Sequence, residues 1–164
     1  MQIVLLTRDH DRAGFDCGVS ELNRFLKATA RQHNYKGISR TFVLVDDENP
    51  KVILGFFTLA ICEVNIKDVP AAFAKKYPPQ HGLPAVRLAR LAVSVKERGK
   101  RYGEALLGEA VHRTATIAEQ AGLIGLFVDA KNEGAKQFYE KYGFINTEGR
   151  PRQLFLPVET LLQL

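Results

Sequence analysis

The segment VRLARLAVSVKERGKRYGEALLG, residues 86–108, combines three patterns in succession. Its apolar first part has the character of a β-strand, and a basic, turn-rich loop follows at Lys96–Tyr102. From Gly103 onward, apolar residues recur at helical spacing. The first N–H groups of a helix have no internal partner, and the helix dipole adds partial positive charge there. The segment therefore predicts a strand, a loop and a helix start that bind a phosphorylated ligand.

Length and composition indicate one globular domain. The chain has 164 residues, of which 46% are hydrophobic and 25% charged, and this suffices for one sizeable core. We therefore expect a single domain over residues 1–164. No apolar run approaches the roughly 20 residues that span a bilayer. The first residues also lack the basic region of a signal peptide, so we expect a cytoplasmic protein without membrane contact.

The two cysteines and the net charge restrict the possible ligands. Cys17 and Cys62 are typical of a reducing compartment and form neither a disulfide framework nor a zinc site, so no metal is expected. We interpret both as buried structural residues, with an acyl-cysteine intermediate as the alternative. The net charge of +5 permits a polyanionic partner, although many proteins without one are equally basic.

The remaining patterns indicate an α/β domain with a mixed sheet. Gly55, inside an apolar strand pattern, indicates either a bulge or a close approach of the backbone. The predicted elements are a strand at Ile3–Leu6, a turn at Phe15–Gly18, a helix at Glu21–His33, strands at Thr41–Val45 and Val52–Val64, a short helix at Pro70–Lys76, a loop at Tyr77–Pro84, helices at Gly103–Gln120 and Glu133–Tyr142, and strands at Leu123–Val128, Phe144–Asn146 and Gln153–Leu156.

The first predicted helix is amphipathic, and Ser20 is its expected N-cap. Arg24, Lys27 and Arg31 lie three and four positions apart, so they share one face. This basic stripe is either a solvated face or a set of phosphate contacts, and the pattern alone favours the solvated face.

Five stretches of the chain resemble the GNAT superfamily of acyl-CoA-dependent N-acetyltransferases. The closer resemblance is to the TacT-like acetyltransferase toxins of type II toxin–antitoxin modules. The stretches are FDCG at 15–18 with LNRFL at 22–26, SRTFV at 39–43, LGFFTLA at 54–60, LARLAVSVKERGKRYGEALL at 88–107, and LFVDAKNEGAKQFYEKYGF at 126–144. Together they extend over nearly the whole chain.

The resemblance implies the GNAT fold, a central mixed, mostly antiparallel sheet with two splayed parallel strands, flanked by helices. The splayed strands correspond to Ala85–Val95 and Leu123–Val128, and acetyl-CoA, the implied co-substrate, lies in the splay. Its pantetheine arm pairs with the first strand, and its pyrophosphate rests on the loop and helix start. The implied cofactor-binding residues are Leu91, Ala92, Val93, Arg98, Gly99, Lys100, Arg101, Tyr102, Gly103, Asn132, Ala135 and Phe138.

One residue departs from the loop pattern of the family, which reads Arg or Gln, any, any, Gly, any, Gly or Ala. Arg101 occupies the fourth position. An arginine there binds phosphate only if its backbone stays in a region allowed to non-glycine residues. Its side chain then either adds a charge-assisted contact to the phosphates or crowds the loop and weakens binding.

Acetyl transfer from a thioester to an amine needs a neutral amine, a stabilised oxyanion and an acid for the leaving thiolate. The resemblance implies that Tyr139 is this general acid, whereas the residue pattern alone indicates a half-buried core tyrosine. The implied oxyanion donor is a backbone N–H near Ala92 or Val93. No histidine or carboxylate is placed as a general base, and an α-amine with a pKa of about 8 needs no strong one.

In the toxin group the substrate is the amino group of charged tRNA, and its acetylation blocks translation. The resemblance thus implies direct transfer to aminoacyl-tRNA, a ribbon-helix-helix antitoxin as partner, and a homodimer. Arg90 is equally compatible with an ion pair or a dimer contact. The candidate tRNA contacts are Arg24, Lys27, Arg31, Lys36, Arg40 and Arg90, with Arg87, Arg150 and Arg152 as further candidates.

Two other functions stay open from the sequence. The first is an ordinary GNAT acetyltransferase whose substrate is a polyamine or a protein amine. Such a cationic substrate would suit an acidic cleft, so the net positive charge of the chain argues mildly against this function. A non-catalytic acyl-CoA-binding or DNA-binding regulatory module is the second, and Arg101 in the loop keeps it open.

Overall fold

The computed structural model describes residues 1–78 and 82–163. The strands are β1 (Gln2–Leu5), β2 (Arg40–Val45), β3 (Gly55–Val64), β4 (Leu83–Val93), β5 (Gly125–Asp129), β6 (Ile145–Thr147) and β7 (Arg150–Pro157). The helices are α1 (Ser20–Ala28), α2 (Ala30–Lys36), α3 (Ala71–Ala74), α4 (Tyr102–Gln120), α5 (Glu133–Lys141) and α6 (Val158–Leu161). Residues 79–81 of the predicted loop Tyr77–Pro84 lie outside the described residues.

The strands form one mixed sheet in the order β1-β2-β3-β4-β5-β7-β6. β1, β2 and β3 pair antiparallel, as do β5, β7 and β6. β4 and β5 are parallel, with Val86–Leu88 opposite Leu126–Val128. β4 continues for five residues beyond the last of these pairs. The predicted mixed, mostly antiparallel sheet with a parallel pair is therefore confirmed.

Several predicted boundaries are wrong, for local physical reasons. The single helix predicted over Glu21–His33 is two helices, because Thr29 leaves the helical region with φ −124° and ψ −39°. Ser20 is the first helical residue rather than the cap, since the extended residue Val19 precedes the helix. α6 was not predicted, although Pro157 before it is a typical helix-start signal.

The strand predicted from Val52 begins at Gly55 instead. The Val52 N–H closes a turn by donating to the Asn49 carbonyl, so this part of the chain is still leaving the hairpin loop. The short helix predicted over Pro70–Lys76 contains only Ala71–Ala74, and Pro70 is its N-cap.

Two compact units divide the chain. The first comprises Met1–Ala60 and Ala89–Ala110. Its core contains Leu26, Val43 and Phe56, all fully buried, and the rings of Phe15 and Phe56 meet edge to face with centroids 5.5 Å apart. Burial of side chains of this size stabilises a fold by about 1.5–3 kcal/mol each.

The second unit comprises Ile61–Leu88 and the chain from Val111 onward. Phe127 and Phe155 are fully buried with ring centroids 4.6 Å apart, and Phe73 packs edge-on against Phe155.

In the described part of the chain, no helix is both long and apolar enough to cross a bilayer.

Gly55, at the start of β3, lies against both a strand and a helix of the first unit. A Cβ atom there would be 2.9 Å from the Ala92 carbonyl oxygen and 2.8 Å from Leu106 Cδ1. The close backbone approach, one of the two interpretations of this glycine, is confirmed. Only glycine lets β3 lie this near to β4 and α4 without displacing backbone.

We expect Gly55→Ala to lower the free energy of unfolding by about 1–3 kcal/mol, because the added methyl overpacks against the Ala92 carbonyl. Gly108→Ala is the matched control. Nothing lies within 4 Å of a Cβ there, and the residue is inside α4. The control should raise stability by about 0.5–1 kcal/mol. Urea unfolding measures both, and equal stabilisation would contradict the close approach.

Candidate functional site

The loop between β4 and α4 reverses the chain with two left-handed residues. A 3₁₀ turn, Val95–Glu97, comes first, and Arg98 is extended with φ −63° and ψ 146°. Gly99 has φ 82° and Arg101 has φ 64°. α4 begins directly afterwards at Tyr102, where helix geometry leaves the first N–H groups without intrahelical acceptors. Such a loop and helix start can accept an anion.

Arg101 pays a conformational cost for its place in the loop. It is the single non-glycine residue with positive φ in the part of the chain that the structure describes. Left-handed backbone costs an L-residue about 1–2 kcal/mol, because Cβ approaches the following carbonyl oxygen. The backbone of Arg101 is therefore in an allowed region, as expected, but this is the small left-handed region, which favours glycine.

The three cations of the loop differ in their surroundings. The Lys100 ammonium pairs with the Glu97 carboxylate, whose hydrogen bond raises the pKa of Lys100. Arg98 Nη2 donates to the Cys17 carbonyl oxygen at 3.4 Å. Arg101 is exposed and has no ion-pair partner within residues 1–78 and 82–163. Two of the three predicted phosphate-binding cations are thus already held by neighbouring groups.

The end of β4 carries the residues predicted to pair with the pantetheine arm. Leu91 and Val93 are half-buried, and Ala92 is buried in the core of the first unit. The Arg90 guanidinium stacks over the Phe25 ring, 3.6 Å from its centroid, and its burial lowers the pKa of Arg90. This cation–π contact differs from the ion pair or dimer contact considered for Arg90.

α5, in the second unit, presents the other predicted residues. Asn132 is the N-cap of α5, and its Oδ1 accepts the Ala135 N–H at 2.8 Å. Asn132, Ala135 and Phe138 are spaced three apart and therefore follow one side of the helix, and Tyr139 is a helical neighbour of Ala135, four positions on. Both Ala135 and Phe138 are half-buried.

Tyr139 lies deeper than the half-buried position that its pattern indicates. Its exposed fraction is 7%, and its ring packs against Phe138 and Phe144 with centroids 5.3 and 5.5 Å away. Burial raises the pKa of Tyr139 to about 12. Among the described residues its hydroxyl has no hydrogen-bond partner. The hydroxyl is thus protonated at neutral pH and not engaged by a described side chain.

The basic stripe on α1 and α2 is exposed. Arg24 and Lys27 on α1 and Arg31 and Lys36 on α2 are all exposed. Arg40 is also exposed, with its guanidinium donating to the Asn34 carbonyl oxygen at 2.6 Å. Residues 20–40 contain five basic residues and one acidic one, so they supply most of the net charge of +5.

The further basic candidates of the second unit are committed to local contacts. Arg87 pairs with Asp129 at 2.7 Å, and Arg150 pairs with Asp68. Arg152 donates to the Lys131 carbonyl oxygen at 2.9 Å. These three arginines therefore have partners within the second unit, as Arg40 has in the first.

Sequence reasoning missed Tyr35, which is 92% exposed. It lies four positions after Arg31 and so extends the basic stripe with an aromatic ring. The signal was an aromatic residue at helical spacing from Arg31, two positions beyond the end of the predicted helix Glu21–His33.

The cysteines are poorly suited to carry an acyl group. Cys17 is buried, and Cys62 is half-buried. Burial raises the pKa of the Cys62 thiol, which reduces its reactive thiolate fraction at neutral pH. Among the described residues no group of His, Cys, Asp or Glu side chains could hold a metal ion.

Comparison with known proteins places these features in a family. The model of the acetyltransferase (GNAT) domain matches residues 37–146. A probable toxin TacT of Sinorhizobium fredii is 30% identical over 94% of this chain and 89% of its own length. A tRNA-acetylating toxin of Mycobacterium tuberculosis is 32% identical over 89% of this chain and 85% of its own.

Solved structures agree with this comparison. A tyrosine-to-phenylalanine mutant of KacT has a TM-score of 0.91 at 31% identity, covering 99% of this chain and 97% of that one. AtaT complexed with acetyl-methionyl-tRNAfMet has a TM-score of 0.89 at 30% identity, with 98% and 96% covered. A mutant AtaT toxin bound to the C-terminus of the antitoxin AtaR and acetyl-CoA has a TM-score of 0.80 at 28% identity, with 98% and 94% covered.

We expect Arg101→Gly to raise the free energy of unfolding by about 0.5–1 kcal/mol, because relief of the left-handed strain exceeds the entropy cost of glycine. Arg101→Ala keeps Cβ and should show no such gain. Urea unfolding of the two variants separates backbone strain from charge. Equal stabilisation by alanine would mean that repulsion from Arg98 and Lys100, rather than φ, is the source.

Proposed function

Because this chain belongs to the GNAT family of acetyltransferases, we propose that it acetylates the α-amino group of aminoacyl-tRNA with acetyl-CoA and so acts as a toxin that inhibits translation. The observation that carries the proposal is the similarity, over nearly the whole chain, to a relative named tRNA-acetylating toxin. The similarity to AtaT complexed with acetyl-methionyl-tRNAfMet supports it. Residues 1–164 would act as one acetyltransferase domain.

Acetyl-CoA would bind through the strand, loop and helix start of the first unit. The loop Arg98–Gly103 offers backbone N–H groups, the positive end of the α4 dipole and exposed cations to the pyrophosphate. The backbone of Leu91–Val93 would pair with the pantetheine arm. On the second unit, Ala135 and Phe138 supply half-buried apolar surface on the face of α5 that Asn132 begins.

In the reaction, the neutral amine attacks the thioester carbonyl carbon and forms a tetrahedral oxyanion. A backbone N–H near Ala92 or Val93 would stabilise that oxyanion. Collapse then breaks the C–S bond, the nitrogen loses its proton, and the thiolate takes a proton from Tyr139. The phenolate regains the proton released by the nitrogen.

The burial of Tyr139 has two consequences for this role. A pKa of about 12 keeps the hydroxyl protonated at neutral pH, as a general acid requires. It also makes Tyr139 a weaker acid than a thiol, whose pKa is about 8.5, so its contribution lies at the low end of general acid catalysis. The buried Cys17 and the raised pKa of Cys62 favour direct transfer over an acyl-cysteine intermediate.

The tRNA would bind to the basic stripe of the first unit. Arg24 and Lys27 are exposed on α1, Arg31 and Lys36 are exposed on α2, and the exposed Arg40 begins β2. Phosphate contacts of this kind suit a polyanionic substrate. Arg90, stacked on Phe25, would orient the helix carrying the stripe rather than contact phosphate from solution.

The partners follow from the same family. The structure of AtaT bound to the C-terminus of the antitoxin AtaR supports an antitoxin for this chain as well, and we assign it the ribbon-helix-helix class. We also propose that the protein is a homodimer and that it acts in the cytoplasm, where charged tRNA and acetyl-CoA are both present.

With labelled acetyl-CoA and charged tRNA, we expect the label on the aminoacyl group, and none with uncharged tRNA. Tyr139→Phe should lower kcat by about 100-fold while the KM for acetyl-CoA stays unchanged, because only the leaving thiolate loses its proton donor. Induced expression should arrest growth, and Tyr139→Phe should relieve the arrest.

Tyr142→Phe is the control for this substitution, since it removes a hydroxyl one helical turn away from α5's buried tyrosine. Unfolding experiments should show no loss of stability in Tyr139→Phe, whose lost hydroxyl has no partner among residues 1–78 and 82–163. Label on a polyamine instead of the aminoacyl group would overturn the substrate. Undiminished growth arrest by Tyr139→Phe would overturn the role of Tyr139.

We expect the double variant Arg24→Ala, Arg31→Ala to raise the KM for charged tRNA and to reduce its salt dependence by about 0.7–0.9 in logarithmic slope per lost phosphate contact. The double variant Lys67→Ala, Lys75→Ala removes the same charge from exposed positions of the second unit and should change neither quantity. Titration of tRNA binding against salt measures the slopes, and equal slopes in both variants would contradict the stripe.

A further inference from the structure

We propose that Asn23 and Asp16 are positioning residues that hold the acetyl-CoA phosphate loop, acting through the turn Phe15–Gly18. The inference rests on the proposed function of the loop Arg98–Gly103. The FDCG turn and the LNRFL start of α1 are among the stretches that resemble the family. None of the chemistry proposed above uses the turn or Asn23, so these residues need a separate explanation.

Side-chain hydrogen bonds lock the turn onto α1. Asp16 Oδ1 accepts the Gly18 N–H at 2.8 Å and Asn23 Nδ2 at 2.9 Å. Asn23 Oδ1 accepts the Cys17 N–H at 2.9 Å. Both the oxygen and the nitrogen of the Asn23 amide therefore form hydrogen bonds with the turn. The buried side chains of Phe15 and Cys17 anchor the turn in the core of the first unit.

Two consecutive carbonyl groups of the turn then hold the loop. The Asp16 carbonyl oxygen accepts the N–H of Val95, the first residue of the 3₁₀ turn, at 2.8 Å. The Cys17 carbonyl oxygen accepts Arg98 Nη2 at 3.4 Å. Gly18, with φ 83°, leaves room for this approach, because a Cβ there would be 3.1 Å from Arg98 Nη2.

This arrangement prepares the loop for an anion before the anion binds. A guanidinium has five N–H donors in a rigid fork, so one contact to Cys17 orients Arg98 and leaves other donors for a phosphate. A loop that is ordered in advance binds more tightly, because the ligand does not have to supply the ordering entropy. The hydrogen bonds from Gly18 and Asn23 also lower the pKa of Asp16 and keep its carboxylate an acceptor.

Asn34 provides a matched control for Asn23. Its Oδ1 accepts the Thr41 N–H at 2.8 Å, and its Nδ2 donates to the Leu6 carbonyl oxygen at 3.4 Å. It therefore joins a helix to neighbouring backbone in the same unit, as Asn23 does, but its bonds lead to the β1–β2 side rather than to the loop.

Calorimetric titration of the full chain with acetyl-CoA tests the proposal. Asn23→Ala should raise the Kd by about three- to tenfold, because the substitution removes the net contribution of one or two hydrogen bonds. Asn34→Ala should leave the Kd unchanged. The KM for acetyl-CoA should rise in parallel, with kcat and the KM for charged tRNA unaffected. In an Arg98→Ala background, Asn23→Ala should cause a smaller further loss, because only the bond from the Val95 N–H to the Asp16 carbonyl oxygen then remains to be weakened.

Hydrogen exchange of the ligand-free chain gives a readout independent of acetyl-CoA. The Val95 amide and the loop after it should exchange faster in Asn23→Ala than in Asn34→Ala. An unchanged Kd in Asn23→Ala, or equal losses in both asparagine variants, would overturn the proposal. A wild-type chain that does not bind acetyl-CoA refutes the proposed function, and the exchange rates then still decide whether Asn23 holds the loop.

Discussion

The connection between β4 and α4 is the constraint on which the candidate site depends. Eight residues, 94–101, must end a strand, turn the chain and start a long helix, and two of them take left-handed backbone to do so. Gly99 does this without strain, whereas Arg101 does it at a cost. The elements on either side of this connection pack closely in the first unit, where a Cβ at Gly55 would lie 2.9 Å from the Ala92 carbonyl oxygen and 2.8 Å from Leu106 Cδ1.

Asparagine amides hold three of the helices, α1, α2 and α5, in a defined relation to nearby backbone. Asn23 holds the turn before α1, Asn34 joins α2 to β2, and Asn132 caps α5. In each case Oδ1 accepts a backbone N–H at 2.8–2.9 Å. An amide can accept and donate at once, so one short side chain satisfies two backbone or side-chain groups that a carboxylate or amine could not.

Charge and burial are distributed differently in the two units. The arginines of the second unit that we considered as tRNA contacts form local pairs, as Arg87 does with Asp129. The stripe of the first unit is exposed and nearly free of acidic residues. Tyr139 is surrounded by aromatic rings, and this apolar setting keeps its hydroxyl protonated.

The sequence by itself determined most of the element order, apart from α6 and the division of the first helix, together with the mixed sheet, the loop and the family, because periodicity, glycine placement and motif spacing are local properties. Tertiary structure alone decided the break at Thr29, the stacking of Arg90 on Phe25 and the depth of Tyr139. It also decided the left-handed backbone of Arg101. The contact of Arg90 with Phe25 joins residues distant in the chain, and the burial of Tyr139 arises only when elements pack together, so local sequence patterns do not encode either feature.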